Sequence, residues 1–348
     1  MRSVSIQTGR PYQVQIGQGL LSTCGGAIAQ VKEPCRVLVV SDSNVAPLYG
    51  ESCLSSLKEK GFSPSLYTLP AGEASKSTEN FLAICEHLAA EGYSRTDLLV
   101  ALGGGVVGDI TGFCAASYLR GIDFASIPTT FLAQIDSSVG GKTGVNLAAG
   151  KNLLGAFWQP LLVLCDTDTL GSLDTVTFGD GICEALKCGA TFSAPLFEAI
   201  AKDVHQNLEE VIFQCVSLKA QVVSRDERDT GERMLLNFGH TLAHAIEKRS
   251  GLAITHGHAV GMGMVLISQI AARHGICTEE LPAKIAGALA RYDIPTQCPY
   301  PMGELLSFCH KDKKKLGSSI TLVLLRALGE GFLYPVALSQ FDTFMTAL

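Results

Sequence analysis

Short apolar runs alternate with amphipathic stretches through the first half of the chain. Arg36–Ser41 (RVLVVS) is apolar at its centre and leads into Asp42, the pattern of a strand covered on both faces. A helix-like segment at Gly50–Lys60 follows, then a strand at Ser65–Leu69, a helix at Thr78–Glu91 and the strand Asp97–Leu102 (DLLVAL). Phe124–Ile127 and Leu161–Cys165 read as further strands. Apolar strands separated by helices predict a parallel, doubly wound α/β layer. The opening MRSVSIQTGRPYQVQIG alternates apolar and polar residues, which predicts a strand of the mature protein rather than a signal peptide.

After about Asp166 the period changes. Helical patterns recur in Leu196–Val204, Leu208–Val223, Met234–Lys248, Ala259–Ala272 and Leu281–Tyr292, with little strand signal before Ser319–Leu325. The boundary is placed near residue 165, with a Rossmann-like α/β domain over 1–165 and a mainly α-helical domain over 166–348. The longest stretch without Asp, Glu, Lys or Arg, Ser250–Ala272, contains His256, His258 and Gln269, so a buried helix is expected there rather than a membrane span.

Composition narrows the class of partner. With 348 residues, 47% of them apolar, the chain has material for two cores. Its net charge of −6 and lack of a long basic run argue against nucleic acid. Twelve cysteines are scattered, with no C-x-x-C pair, and several lie in apolar runs where a thiol packs as a small hydrophobe. Reduced thiols and a cytoplasmic location are the expectation.

Three clusters carry candidate chemistry. Gly103-Gly104-Gly105-Val106-Val107-Gly108-Asp109 follows the DLLVAL strand and precedes a helix-like stretch, satisfying G-x-G-x-x-G in the context that gives it meaning. Bare glycine backbone and a helix N-terminus suit a pyrophosphate, although a tight structural turn needs the same residues. Here the motif lies outside the first βα unit, and Asp42 is the candidate for the ribose. The second cluster contains two Gly-Lys pairs, at Lys142 and Lys151, beside Asn146 and Asn152. Together with Arg120, Lys187, Lys219, Arg233 and the run Lys313-Lys314-Lys315 they suit an anionic small molecule, if they converge; the competing reading is exposed lysines on glycine turns. The charge-dense Arg225–Arg233 reads as a solvated face, but it stands immediately before the histidines.

In the third cluster, four of the eight histidines, His240, His244, His256 and His258, lie close together. His240 and His244 share one face of a helix. A lone histidine there would read as a core residue, but four beside apolar helices point to a catalytic metal, commonly held by three protein ligands. Glu184, in the otherwise uncharged GICEAL, is the candidate carboxylate, because a buried carboxylate needs a partner and a metal supplies one.

In order and number these motifs resemble the 3-dehydroquinate synthase family, within the sugar phosphate cyclase superfamily. The likeness runs over almost the whole length. It is carried by YQVQIGQGLL, Gly72-Glu73-Ala74-Ser75-Lys76, GGGVVGD, SYLRG, PTTFLAQIDSSVGGKTGVN and GKNLLGAFWQP. It continues with Glu184 and Lys187, LNFGHTLAHAIE, His256-Gly257 and Asp312-Lys313-Lys314.

The resemblance implies a nucleotide-binding α/β domain, a helical domain and an active site in the cleft between them. It implies zinc or cobalt on Glu184, His240 and His256, with His244 beside a substrate phosphate. NAD would meet Asp42, Gly72, Glu73, Ala74, Ser75 and Lys76. It would also meet Gly104, Gly105, Val106, Val107, Gly108 and Asp109, then Thr129, Thr130, Lys142 and Lys151, and finally Thr169, Leu170, Gly171 and Ser172. Substrate or catalytic roles fall to Asp136, Lys142, Asn152, Lys187, Lys219, Asp229, Arg233, Asn237, His244, Lys313 and Lys314. Arg120 would reach in from a neighbouring subunit, so a homodimer is expected.

The implied reaction converts 3-deoxy-D-arabino-heptulosonate 7-phosphate into 3-dehydroquinate and phosphate in the shikimate pathway. Rival readings are a metal-dependent polyol dehydrogenase, which would release NADH, another sugar-phosphate cyclase, and an NAD sensor without turnover. Lys187 and Asn237 favour the dehydroquinate-forming cyclase. Two positions depart from the family pattern: Asp229 replaces the usual Glu, and His256-Gly257-His258 replaces the usual H-G-E.

Overall fold

The computed structural model describes residues 1–313 and 318–346. The chain divides into two compact units, Met1–Leu173 with Lys219–Arg228, and Asp174–Leu218 with Asp229–Leu348.

The first unit contains β1 (Arg2–Ile6), β2 (Tyr12–Gly17), α1 (Cys24–Ala29), β3 (Arg36–Asp42), α2 (Glu51–Glu59), β4 (Ser63–Leu69) and α3 (Thr78–Ala90). It continues with β5 (Leu98–Gly103), α4 (Gly105–Ser117), β6 (Asp123–Pro128), β7 (Lys142–Leu147), β8 (Gly150–Phe157) and β9 (Leu162–Asp166). Seven strands form one sheet in the order β1-β2-β9-β6-β5-β3-β4. Its pairs are parallel except β1 with β2, because the opening segment folds into a hairpin rather than one strand.

Successive side chains of a strand face opposite ways, so the apolar runs supply two cores at once. Leu38, Val40, Leu99 and Ala101 pack with Ile84 and Leu88 of α3 and Ile110 of α4. Val37, Val39, Leu98 and Val100 pack with Ile28 of α1 and Leu57 of α2. Covered on both faces, β5 is buried along its whole length, and its C-terminal end delivers the glycine turn.

The hairpin of β7 and β8 lies outside this sheet and is not legible in the hydropathy. Its strands approach so closely that a Cβ on Gly155 would sit 2.1 Å from the Thr143 carbonyl oxygen. Lys142 begins β7, and Lys151 lies near the start of β8.

The unit boundary falls after Leu173 rather than near residue 165, because the short 3-10 segment Thr167–Ser172 is bonded back into the first unit. Asp166 and Asp168 each accept the Gly19 N–H at 3.0 Å. The Tyr49 hydroxyl donates to Ser172 Oγ at 2.8 Å. A second difference is the return of Lys219–Arg228 to this unit. Lys219 pairs with the Asp136 carboxylate and donates to its carbonyl at 2.6 Å. Glu227 accepts from Gly9 N and from Gln159 Nε2.

At the start of β6, Asp123 takes hydrogen bonds from Arg10 and, at 2.8 Å, from Lys32. Burial pushes this carboxyl up, but the two cations more than offset it and hold it below the usual carboxylate range. A depressed folded-state pKa contributes stability that is present above the unfolded value, about 3.9, and is lost as pH falls through the folded value. Asp123→Asn is therefore expected to cost about 1 kcal/mol at pH near 7 and to approach the parent at about pH 3. Urea midpoints at both pH values check this; a gap that does not shrink in acid counts against it.

The second unit contains α5 (Thr175–Phe192), α6 (Ala194–Asp203) and the first part of α7 (Leu208–Arg225). It also holds α8 (His240–Arg249), α9 (His256–Arg273), α10 (Glu280–Ala290), α11 (Met302–Lys313) and α12 (Phe341–Met345), with the hairpin of β10 (Ser319–Leu325) and β11 (Gly331–Ala337). Asp174 caps α5 by accepting the Thr177 N–H at 2.8 Å.

The continuous helix expected over Met234–Lys248 is interrupted. A 3-10 turn spans Glu232–Asn237, and Gly239 stands in the left-handed region with φ +80° before α8 begins at His240. The break is enforced by packing: a Cβ on Gly239 would lie 2.8 Å from Met264 N of α9. The uncharged stretch becomes α9, mostly buried in this unit. Among the described residues no helix is long and apolar enough to cross a membrane.

Candidate functional site

The second unit brings Glu184, His240 and His256 together, with one donor atom from each lying within 4.8 Å of the others. Glu184 sits mid-way along α5, while His240 and His256 are the first residues of α8 and α9. Helix starts place both imidazoles where the breaks at Gly239 and before Thr255 aim them, instead of leaving them along a helix face.

Glu184 is only 2% exposed, and neither carboxylate oxygen accepts a hydrogen bond of regular geometry. Lys187, one turn on in α5 and also buried, sets its ammonium 2.5 Å from Oε2. Nε2 of His256 and Nε2 of His240 lie 3.4 and 3.7 Å from Oε1. Burial works against the charged carboxylate, but Lys187 first, then His256 and His240, hold it well below the usual range. A buried, ionised carboxylate beside two imidazoles is the donor chemistry of a catalytic zinc site. The residues fit a divalent metal.

Each imidazole is oriented through its other nitrogen. His240 Nδ1 donates to the Phe238 carbonyl (3.2 Å), and His256 Nδ1 donates to Glu247 Oε2 (3.2 Å). Both bonds leave Nε2 facing the cluster. Burial, reinforced by Lys187, pulls His240 down to about 3, so it is neutral. For His256 burial also opposes charge, but the bonds to Glu184 and Glu247 outweigh it and raise the ring to about 10.

Glu247 was not singled out by the sequence reading, although it is 3% exposed and lies seven positions after His240 on the same face of α8. His244 is exposed, its ring centroid 5.5 Å from that of His240 and 6.2 Å from that of His256. It stands beside the cluster without joining it. Arg233 is buried and Asn237 exposed in the 3-10 turn before α8, and Asp229 adopts a left-handed φ of +58°. Lys313 ends α11. Lys314 lies outside the described residues.

In the first unit the nucleotide candidates Asp42, Gly72–Lys76, Gly104–Asp109, Thr129–Thr130 and Thr169–Ser172 lie at or just after the C-terminal ends of β3, β4, β5, β6 and β9. Gly104 precedes α4 and offers no side-chain cap, so Gly105, Val106 and Val107 present bare N–H groups, while Gly108 N–H closes the first turn on the Gly104 carbonyl at 3.0 Å. A Cβ at Gly108, Gly72 or Gly171 would meet nothing within 4 Å, which leaves room beside the backbone for a bulky ligand. At Gly104 and Gly105, by contrast, a Cβ would press at 3.0 Å on Thr130 and Ser137, so these glycines serve the close packing of the turn.

Asp42 ends β3, and its Oδ1 accepts from Asn44 N (2.9 Å) and Val45 N (3.0 Å). Lys76 is buried and pairs with Asp109 of α4, whose carboxyl is pushed up by burial against the pull of that lysine. Glu73 accepts from Asn146 Nδ2 (2.7 Å), and Asn146 in turn accepts from Asn152 N (2.9 Å). Ala74 and Ser75 complete the 3-10 turn after Gly72. Thr129 donates its N–H to the Gly103 carbonyl, and Thr130 accepts from Ala133 N. Thr169, Leu170, Gly171 and Ser172 form the turn after β9, which Tyr49 ties down through Thr169 O and Ser172 Oγ. Asp136 and Lys219 are paired, whereas Arg120 is exposed at a left-handed φ of +66° after α4.

The sequence profile described as 3-dehydroquinate synthase N-terminal matches residues 66–180, and the one described as 3-dehydroquinate synthase C-terminal matches residues 181–315. A 3-dehydroquinate synthase of Caulobacter vibrioides (strain NA1000 / CB15N) is 40% identical over 349 residues, covering 95% of this chain and 94% of its own. Among solved structures, 2-deoxy-scyllo-inosose synthase complexed with carbaglucose-6-phosphate, NAD+ and Co2+ aligns with a TM-score of 0.89 at 25% identity, over 99% of each chain. ValA, the 2-epi-5-epi-valiolone synthase of Streptomyces hygroscopicus subsp. jinggangensis 5008 with NAD+ and Zn2+ bound, aligns at 0.87 with 26% identity, over 99% of this chain and 98% of its own.

Proposed function

This chain belongs to the 3-dehydroquinate synthase family, and from that premise we propose that it converts 3-deoxy-D-arabino-heptulosonate 7-phosphate into 3-dehydroquinate and inorganic phosphate with one bound NAD and one divalent metal ion. It is an enzyme of the phosphate-eliminating lyase class. The observation that carries the metal is the Glu184–His240–His256 cluster, one donor atom from each within 4.8 Å of the others around a buried carboxylate. Zinc and cobalt are both candidates, since structural neighbours hold one or the other.

Glu184, His240 and His256 would hold the metal. Asp42, the Gly72–Lys76 turn, the first turn of α4, Thr129, Thr130, Lys142, Lys151 and the Thr169–Ser172 turn would hold NAD. When bound, the metal supplies a Lewis acid for vicinal hydroxyls, and NAD supplies a place to store and return one hydride. The reaction so served oxidises one hydroxyl, loses phosphate by β-elimination, reduces the ketone again and closes the ring by aldol addition.

The chain's own groups match the charges that develop. Lys187 keeps Glu184 ionised, so the carboxylate stands ready as an anionic ligand before any substrate arrives. His244 would offer a proton or a hydrogen bond to a phosphate oxygen, a role supported by its exposure and its ring 5.5 Å from that of His240. Asp136, Asn152, Lys219, Asp229, Arg233, Asn237, Lys313 and Lys314 are assigned to substrate, and Arg120 to the site of a second copy in a homodimer. The enzyme is assigned to the cytoplasm.

The test is an assay of purified protein with zinc, a catalytic amount of NAD and the heptulosonate phosphate. One phosphate and one dehydroquinate should form per substrate while NADH absorbance stays flat. Stoichiometric NADH would make the chain a dehydrogenase; metal and NAD binding without product would make it a sensor.

A further inference from the structure

His258 lies two residues beyond His256 on α9, and its surroundings give it a role. Asp180 lies one turn before Glu184 on α5, so the two carboxylates share a face of that helix. Asp180 Oδ1 receives three donors at once: His258 Nδ1 at 2.8 Å, His258 N at 3.0 Å and Thr255 Oγ1 at 2.6 Å. Thr255 is the N-cap residue of α9 but does not cap that helix with its own side chain. Asp180 therefore does from a different helix what an N-cap side chain does, satisfying the N–H of the third residue of α9 and placing negative charge at its N-terminus.

The contact is tight as well as polar. A Cβ on Gly257 would fall 2.3 Å from Asp180 Cα, so the two backbones touch between the ligand His256 and the imidazole of His258. Across the same face, the His258 ring packs on Gly179, where an added Cβ would meet its Cε1 at 3.2 Å. One turn further along α5, Glu184 faces His256 at 3.4 Å.

We propose that Asp180 and His258 form a clamp that sets the spacing of Glu184 and His256, and that His258 is a positioning residue for the metal rather than a ligand. The clamp rests on the metal reading given above and adds to it the residues that preorganise two of the three ligands. Outer groups of this kind commonly change metal affinity by about 10–100-fold when removed.

The full-length chain, stripped by a chelator, is titrated with Co2+ while visible ligand-field absorption is recorded, and Zn2+ affinity is obtained by competition. Asp180→Ala and His258→Ala are each expected to weaken binding at least about tenfold and to shift the cobalt spectrum, because the ligand geometry relaxes. His258→Asn keeps an N–H donor where Nδ1 stands and is expected to recover affinity to within about threefold of the parent. Circular dichroism confirms that each variant is folded. Unchanged affinity and spectrum in both alanine variants overturn the clamp, even if thermal unfolding falls, since that pattern belongs to a brace without influence on the metal. A parent chain that binds no cobalt overturns the metal assignment itself and the clamp with it.

Discussion

His240→Ala is expected to lose its metal on dialysis and to lower turnover by about a thousandfold or more. The magnitude follows from the several kcal/mol that a Lewis acid contributes, at about 1.4 kcal/mol per factor of ten. The imidazole is half-buried beside Glu184, neutral, and oriented by the Phe238 carbonyl, so nothing else on α8 takes its place. His244→Ala is the control. Its ring is exposed and outside the donor cluster, so one metal per chain should remain while turnover falls. Elemental analysis of the two dialysed variants decides the matter; equal metal loss in both would sink the ligand assignment.

Lys187→Met should damage stability most in metal-free protein. Lys187 and Glu184 form a buried pair, and the ammonium is the strongest influence keeping the carboxylate ionised. Removing one partner leaves a buried charge that must either stay unbalanced or take up a proton. Losses for such half-pairs run to about 3–5 kcal/mol. Saturating zinc, which supplies positive charge to the same carboxylate, should return a large part of that loss. Denaturant midpoints of parent and variant, each with chelator and with zinc, measure both effects. A variant that unfolds with the parent in chelator would show that Glu184 does not depend on Lys187.

The parallel sheet was legible because RVLVVS and DLLVAL are strands covered on both faces, and unbroken apolar runs with helices between them have few other uses. The β7–β8 hairpin was not, because its glycines are explained by backbone contact between the strands and read equally well as an anion-binding loop. Likewise the helical period across Met234–Lys248 contains the right side chains for one helix. Only the approach of α9 to Gly239 breaks it, and local periodicity carries no record of a distant backbone.

At the site, the ligands stood out because an acid in GICEAL and clustered histidines are costly in apolar surroundings. Their supports stayed hidden for the opposite reason. Glu247 precedes Lys248 and Arg249 and reads as the solvated end of a helix. Its position on the His240–His244 face was the available signal. Asp180 follows a phenylalanine and a glycine near the start of α5, and its partners Thr255 and His258 lie 75 and 78 positions away, outside any local window.

The helix α7 begins in one unit and ends in the other, and this has a consequence for how the polypeptide acquires its structure during synthesis. Asp136, Gly9 and Gln159 are made early, yet the lysine and glutamate that bond them lie at positions 219 and 227. The amino-terminal unit cannot complete its own bonding while the first 173 residues alone have emerged. Its last contacts close over a long loop, and a fragment cut at Leu173 would lack part of its own interior.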